Sequence, residues 1–539
     1  MLGPFLENIL DFFNIKNSIT VLICLITAAF LMKGLFTFFT YSYIGKLRGK
    51  LLKKIKGELF DSFTKMNYQY YSSRDTGYFI NVVDNQVGGT LSAFFNFTQL
   101  VSQILSTALY FLLAFFVAWR FGIMILIFGI LLLFLFKKLN DYVTLISTAS
   151  AKESTYLSKL LIQSIQAFKY LTATGQSHKL RNKIQESIFR LTQFQVKTDI
   201  ASGFTQSVRE PFAVLLIMMI ILIQLLVFKG ELSSILVSIM LFYRGFMSIL
   251  GIQASWQLTL SNAGSIEIIN DEFKVQSLVK EIDGNICLNK FSNSIQFEDV
   301  SFRYSQNAKN AINSLSINIP ARTTVAIIGE SGSGKSTLVD LITLILKPEE
   351  GKIFIDDIES RDIKLESWRK QIGYVSQEAV IFDETIAFNI SLLDKEELDN
   401  PEIFENVINA AKQASLYDYI LSLPEKFETR VGDRGLKLSG GQRQRLFIAR
   451  ELFKNPELLI FDEATSALDS ESENEIQISI DNLKGEKTII LIAHRLSTVV
   501  KADKIFVIEK GRVVEEGRFS ELASNMNSKL SNFVKLQRV

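Results

Sequence analysis

The sequence predicts an all-α transmembrane domain followed by an α/β P-loop domain, and three observations carry that expectation. Long apolar runs with few or no charges crowd the first half of the chain, before residue 260. A β-rich run, a glycine loop and a helical stretch follow one another from Thr323 to Leu346. A second apolar strand, "LLIFD" (Leu458–Asp462), ends at two adjacent carboxylates, Asp462 and Glu463.

The 539 residues are too many for one compact domain. Lys and Arg number 58 against 56 Asp and Glu, so no basic field points to nucleic acid. A mean hydropathy of +0.22 with 43 Phe and 2 His is unusual for a soluble protein. The two cysteines, Cys24 and Cys287, are far apart and have no metal-ligand spacing.

"PFAVLLIMMIILIQLLVF" (Pro211–Phe228) is an uncharged run that spans about 27 Å as a helix, close to the hydrocarbon thickness of a bilayer. Comparable runs lie at Ile19–Tyr43, Ala93–Trp119, Phe121–Phe136 and Leu232–Ser255. A buried core helix can imitate one such run but hardly five, so five spans are expected. The connections Ile44–Ser92 and Lys137–Arg209 are rich in Lys and Arg, whereas the two short ones hold only Arg120 and Lys229. Cytoplasmic loops carry the cations, which puts the long connections inside and the short ones outside. Leu47, Leu51, Ile55, Leu59 and Phe63 recur every four residues, so the first long connection continues as a helix out of the membrane. Breaks at "SSRDTG" (Ser72–Gly77) and "LTATGQ" (Leu171–Gln176) make each long connection a hairpin. These are either solvated hairpins or levers that touch a cytoplasmic domain. The divisions expected are an external amphipathic segment at 1–17, a transmembrane domain at 18–265, a linker at 266–293, a nucleotide-binding domain at 294–530 and a tail at 531–539.

"GESGSGKST" comprises Gly329, Glu330, Ser331, Gly332, Ser333, Gly334, Lys335, Ser336 and Thr337. It follows the strand "TTVAII" and opens the helix "STLVDLITLIL", the context that gives this pattern its mechanism. Glycines let successive N–H groups converge on phosphates, and the helix start adds the positive end of its dipole. Lys335 supplies a cation, and the Ser336 hydroxyl can ligate Mg²⁺. Asp462 is placed to hold Mg²⁺ through its water shell, and Glu463 to polarise the attacking water. A helix cap is the bland alternative for that acidic pair. Gln377 and His494 stand just after two further strand-like runs, "QIGYVS" and "TIILIA", where doubly wound folds place chemistry. Tyr304 can stack on adenine, although a core tyrosine would look the same.

"LSGGQ" (Leu438–Gln442) then poses a question, because it is a second anion cradle in a domain that already has one. Ser439, Gly440, Gly441 and Gln442 offer a hydroxyl, an amide and N–H groups at a helix start. The chain's own P-loop already surrounds the phosphates, so this motif is expected to cover a nucleotide held by another copy. Two chains head to tail would then bury two ATP molecules between them.

Glycine loop, Gln377 loop, "LSGGQ", "LLIFDE", "SALD" and His494 come in the order of ABC transporter ATPases, which the second half resembles over about 200 residues. The fusion of membrane domain before ATPase domain resembles ABC exporter half-transporters. That resemblance implies adenine stacking by Tyr304, sensing of the Mg²⁺ site by Gln377, a catalytic base at Glu463 and a γ-phosphate switch at His494, with ATP and Mg²⁺ as cofactors. It also implies a partner, either a second copy or a related half-transporter. "TRVGDRG" (Thr429–Gly435) looks like the exporter loop that meets the membrane domain, with Asp433 in place of the commoner Glu. Exporters of this family have six spans, so the first is expected to be missing here. Residues 5–16 resemble the external helix that follows it in lipid-linked-oligosaccharide flippases.

The function expected is ATP-driven export or flipping of an amphiphile across a bacterial inner membrane, with the ATPase domain cytoplasmic. The cargo expected is a lipid-linked oligosaccharide or another anionic lipid. Lys33 and Arg244 interrupt two apolar runs with no acid inside either run, and both match positions where such flippases carry basic cavity residues. They are the candidate cargo contacts. A multidrug or peptide exporter, and an ATP-gated regulator without transport, are the alternatives. A soluble DNA-directed ATPase shares the signature, but the five expected spans and the absence of a long coiled coil argue against it.

Overall fold

The structure, a computed structural model, describes residues 19–226, 232–305, 309–463, 470–492, 499–525, 527–531 and 534. It divides into two compact units, Met1–Glu281 and Ile282–Val539. The amphipathic segment expected at 1–17 and the candidate switch His494 lie outside the described residues.

Among the described residues the first unit is built mainly of helices. Helix α1 (Ile19–Thr64) carries the first apolar run and continues past it as the four-residue stripe requires. Leu59 is fully buried, and Leu51, Ile55 and Phe63 pack round it against Val82, Val87, Leu91 and Ile269. Two short helices, α2 (Tyr68–Ser72) and α3 (Thr76–Asn81), and a π-helical turn (Val82–Gln86) form the first hairpin. Helix α4 (Val87–Gln166) follows, then α5 (Phe168–Ala173), α6 (Ser177–Leu226), α7 (Leu232–Leu260) and α8 (Ala263–Leu278). The stretch 266–293 thus begins inside α8.

Helix α4 has 80 residues and would be about 120 Å long as a straight rod. Its contacts show that it doubles back. Gly89 packs on Ser265, while Ser147 and Thr148 pack on the adjacent Gly264. Asn96 and Gln103 meet Leu258 and Ser248, and Asn140 meets Gln253 on the same helix. The Gln86 amide reaches the Ala151 carbonyl directly. Two antiparallel arms therefore lie side by side, and the midpoint of their register falls at Ala118 and Trp119, next to Arg120. The arms hold the runs that start at Ala93 and at Phe121. Among the described residues, Ile23–Thr64 is long and apolar enough to cross a membrane. Its large side chains, such as Phe30, Phe36 and Phe38, are exposed in the single chain, as a lipid- or partner-facing surface requires.

The second unit contains two sheets. Strands β1 (Ser294–Phe302), β2 (Ile312–Pro320), β4 (Glu350–Ile355) and β5 (Ile358–Glu359) form an antiparallel sheet in the order β2-β1-β4-β5. Strands β3 (Thr324–Ile328), β6 (Ile372–Val375), β7 (Leu458–Asp462), β8 (Thr488–Ile492), β9 (Lys504–Glu509) and β10 (Arg512–Gly517) form the other, ordered β10-β9-β3-β8-β7-β6. All its neighbours are parallel except β10 and β9. Strands β3 and β8 are buried on both faces, which explains why they read as unbroken apolar runs rather than alternating ones.

Alternate residues of these strands enter different cores. Leu458, Ile460, Ile490 and Ile492 join the helix after the glycine loop, α9 (Lys335–Ile342), through its Leu338, Val339, Leu341 and Ile342. Leu459, Phe461, Ile489 and Leu491 join the helix after the signature, α10 (Gly440–Phe453), through its Leu446, Phe447, Ile448, Ala449 and Leu452. Because side chains alternate along a strand, the two helices cover opposite faces of one sheet.

A Cβ on Gly264 would collide with the Ser147 carbonyl oxygen and stand 2.7 Å from the Thr148 Cα, both rigid backbone. Gly264→Val should therefore pry α8 from the returning arm of α4. A destabilisation of about 1–3 kcal/mol is expected, read as a lower melting temperature of the purified protein.

Candidate functional site

The glycine loop fills the gap between the carboxyl end of β3 and the start of α9. Gly334 has φ +108°, and a Cβ there would lie 2.6 Å from the Ala311 carbonyl, so neither the conformation nor the space admits another residue. Lys335 is 6% exposed, and its Nζ donates to the Gly329 carbonyl at 2.8 Å and the Glu330 carbonyl at 2.9 Å. Burial holds the Lys335 ammonium below the usual lysine range, while Glu463 and Asp462 act in the opposite direction. Both carboxylates thus face the loop's lysine. Ser336 is exposed at the helix start, and Ser333 and Thr337 are buried. Glu330, Ser331 and Gly332 lie on the loop's outer side, exposed.

Asp462 ends β7, and its Oδ2 accepts a hydrogen bond from the Tyr374 hydroxyl at 3.2 Å. Glu463 follows with φ +50°, a left-handed conformation that costs a non-glycine residue about 1–3 kcal/mol and is typical of functional sites. Its N–H donates to the Ile492 carbonyl at 3.2 Å, which pins the strained turn to the neighbouring strand β8. The Gln377 Nε2 donates to the Glu463 Oε2 at 3.0 Å. Lys335, Asp462, Glu463 and Gln377 are therefore brought together from three strand ends. The Tyr304 hydroxyl lies 3.0 Å from the Thr337 Oγ1, and its half-exposed ring packs edge-on against Phe302. That ring stands beside the phosphate loop with a surface open to stack on a base.

Two residues of this site were missed by the sequence reasoning. Tyr374 holds Asp462 from the next strand, and its only sequence signal is its position three residues before Gln377. Asp340, one turn after Ser336, faces Asp462, and its carboxyl is pushed up to about 6 by burial and by that neighbouring charge. The i, i+4 spacing of Ser336 and Asp340 could have revealed it.

The donor set suits Mg²⁺. It offers the Ser336 hydroxyl and the Asp462 carboxylate, which are hard oxygens beside a phosphate cradle. Among the described residues no three His, Cys, Asp or Glu side chains form a closed metal cage. Mg²⁺ bound to a nucleotide needs only one or two protein oxygens plus phosphates and water.

The signature lies on the other face of the sheet. Ser439 caps α10, with its Oγ accepting from the Gln442 N–H at 3.2 Å while its own N–H donates to the Gln442 Oε1 at 2.8 Å. This capping box leaves the hydroxyl proton of Ser439 and the amide protons of Gln442 available to an anion. Gly440 is exposed at the helix start, and Gly441 is buried beside it.

Fold and site define a P-loop nucleotide-binding unit fused behind a helical membrane region. A family model described as "ABC transporter" matches residues 312–466, and one described as "ABC transporter transmembrane region" matches residues 1–250. The chain is 31% identical over 507 residues to an ATP-dependent lipid A-core flippase of Cupriavidus pinatubonensis, covering 92% of this chain and 84% of that one. It is 30% identical over 492 residues to the heterocyst differentiation ATP-binding protein HepA of Nostoc, covering 91% and 80%. Among solved structures, a bacterial Atm1-family ABC exporter with ATP bound shares the fold with a TM-score of 0.85 at 23% identity, covering 97% of this chain and 93% of that one. The chain belongs to the ABC transporter family. It is a membrane protein of exporter type, with an ATP-hydrolysing unit that drives transport.

Glu463→Gln keeps the shape and the contact with Gln377 but removes the group able to accept a proton from water. ATP hydrolysis by the purified protein should fall by about 10²–10⁴-fold with nucleotide binding retained. Wild-type turnover in that variant would show that the base lies elsewhere.

Proposed function

We propose that this chain is a half-transporter that pairs with a second copy and uses ATP and Mg²⁺ to move an anionic lipid across the bacterial inner membrane, with its ATPase unit in the cytoplasm. The observation that carries the dimer is the sheet between the two cradles. The glycine loop and "LSGGQ" begin helices on opposite faces, so one chain presents its signature away from its own nucleotide. A second chain arranged head to tail supplies the missing side.

In this reading Lys335 and the loop N–H groups hold the β- and γ-phosphates, and Ser336 and Asp462 hold the Mg²⁺, with Gln377 reporting its state. Glu463 takes the proton of the attacking water, and Tyr304 stacks on the adenine. Ser439, Gly440, Gly441 and Gln442 of the partner close over the γ-phosphate. Loss of that phosphate removes the anion bridging the two chains and lets them separate, with His494 as the sensor. Hydrolysis thereby becomes movement.

The cargo assignment rests on the first unit. Lys33 lines a groove of about 550 Å³ between α1 and the outgoing arm of α4. Thr37, Thr40, Tyr41, Thr98, Gln99 and Ser102 line it too, a polar wall within an apolar segment. A cation at the centre of a span costs roughly 2.5–3.5 kcal/mol, so one that faces a hydroxyl-lined groove serves a ligand better than it serves stability. Arg244 on α7 is exposed, and no salt bridge to it or to Lys33 occurs among the described residues. Phosphate-bearing head groups match these cations, with Arg244 offering a planar fork. Several of the relatives are named as flippases of lipid A-core, which is in keeping with a lipid cargo.

Two measurements test this. A mixed dimer with Ser439→Ala on one chain and Lys335→Ala on the other should confine both lesions to one of the two sites and keep the other intact. Placing both changes on one chain should damage both sites. Equal nucleotide loss at both sites in the first dimer would mean that the signature serves its own chain. For the cargo, Lys33→Gln with Arg244→Gln should abolish flipping of a diphosphate-linked lipid in proteoliposomes while basal ATP hydrolysis stays within about twofold. Normal flipping by the double variant would point to a neutral or cationic cargo.

A further inference from the structure

The end of the membrane unit is fastened to the first hairpin in two ways. Glu272 on α8 is 1% exposed, and its carboxylate accepts from the Tyr70 hydroxyl at 2.9 Å, the Tyr78 hydroxyl at 2.5 Å and the Gln276 amide at 2.8 Å. The Arg74 guanidinium lies over the rings of Tyr78 and Tyr70, at 4.9 and 5.6 Å from their centroids. Burial, and then Glu272, push the Tyr78 phenol up from its ordinary value, so it stays protonated and remains a donor. Seven residues beyond Glu272 the backbone repeats the attachment. The Asn67 N–H donates to the Val279 carbonyl at 2.8 Å, the Glu281 N–H donates to the Lys65 carbonyl at 2.9 Å, and Met66 pairs with Lys280 as an antiparallel bridge. Glu281 is the last residue of this unit, and the ATPase unit begins at Ile282.

The far side of the hairpin is held as firmly. Lys159 on the returning arm of α4 pairs with Asp75 at 2.7 Å. Fully buried Asn81 donates to the Ser158 Oγ at 2.9 Å and accepts from the Gln86 amide at 2.7 Å and the Thr155 hydroxyl at 3.0 Å. Between Asn81 and α4 lies the π-helical turn Val82–Gln86, a widened backbone of the kind found at functional joints. The hairpin is thus clamped to α8 on one side and to α4 on the other.

We propose that Glu272 is a positioning residue for ATP-driven transport. It makes the segment that enters the ATPase unit and the first hairpin move as one body, so displacement of that unit pulls on α1 and α4 through the covalent chain. A buried carboxylate held by two hydroxyls of the hairpin resists separation, because parting them would leave it out of water with only the Gln276 amide of its own helix. The strand-like bridge at Lys65–Asn67 carries the pull to the end of α1, and the π-turn takes up the bend at the start of α4. The clamp acts in the same way whatever the cargo.

Hydrogen exchange on the full-length protein in nanodiscs tests it, before and after trapping ADP with vanadate. In the native chain, trapping should change exchange both in the glycine loop and in residues 65–86. In Glu272→Gln and, separately, in the near-isosteric Tyr78→Phe, vanadate trapping and glycine-loop protection should be unchanged. The response of residues 65–86 should fall at least about fivefold, the scale of an ordinary coupling between sites. A full hairpin response in either folded variant would overturn the proposal. Failure of both variants to reach the membrane in folded form would overturn it as well, because the carboxylate would then serve folding alone.

Discussion

Everything the second unit can do depends on the six-stranded sheet and on the alternation of side chains across it. Leu459 and Ile460 are neighbours in sequence, yet one packs beneath the signature helix and the other beneath the glycine-loop helix. A parallel strand buried on both faces has no solvent side, so β3 and β8 are apolar at every position after their opening threonines. Its polar chemistry is therefore pushed to the carboxyl ends. That constraint gathers Lys335, Gln377, Asp462 and Glu463 at one edge. It also separates the two anion cradles, which one chain cannot bring together without unmaking its own cores.

The membrane unit obeys a different constraint. In hydrocarbon every backbone group must be satisfied within its own helix, so the chain has few ways to turn. Helix α4 shows this in its geometry, because the helical backbone runs from Val87 to Gln166 although the two arms pack side by side. Apolar composition alone does not show where such a run reverses. Arg120 does, since a single cation between two uncharged runs is best placed where it reaches water. Polar contacts then fix the neighbouring helices, Thr107 joining an arm to α7 through Ser248 and Thr205 joining α6 to α7 through Gln257.

Local patterns made much of this legible in the sequence. The glycine loop, the strand before it and the acidic pair at the end of β7 each carry their meaning within about ten residues, and the structure keeps them on the elements expected. The four-residue stripe on α1 is likewise a local signal, and Leu59 at its centre is fully buried. What could not be read were contacts across long separations. Nothing near Glu272 announces that Tyr70 and Tyr78, some two hundred residues earlier, will supply its hydrogen bonds. Nor does "QIGYVS" reveal that its tyrosine steadies Asp462, since that needs the order of β6 beside β7. The helix start at Ala263 was hidden by its length, because an apolar helix of 29 residues leads into it after only two residues of turn.

Strain and burial are placed differently in the two units, and the difference fits a machine that converts one kind of change into another. In the ATPase unit the costly features, the left-handed Glu463 and the buried Lys335, sit where bound nucleotide would meet them and can be relieved or reinforced by a phosphate. In the membrane unit the costly group is the buried Glu272 carboxylate, and the partners that hold it among the described residues, Tyr70, Tyr78 and Gln276, belong to its own unit. Nucleotide chemistry can therefore alter the first set while the second stays closed. A coupling element has to behave in this way, because a link that loosened with each turnover would dissipate the movement it is meant to pass on. The tyrosine clasp round Glu272 stays intact while the energetics of the strand ends change, which makes the hairpin a rigid handle rather than a second switch.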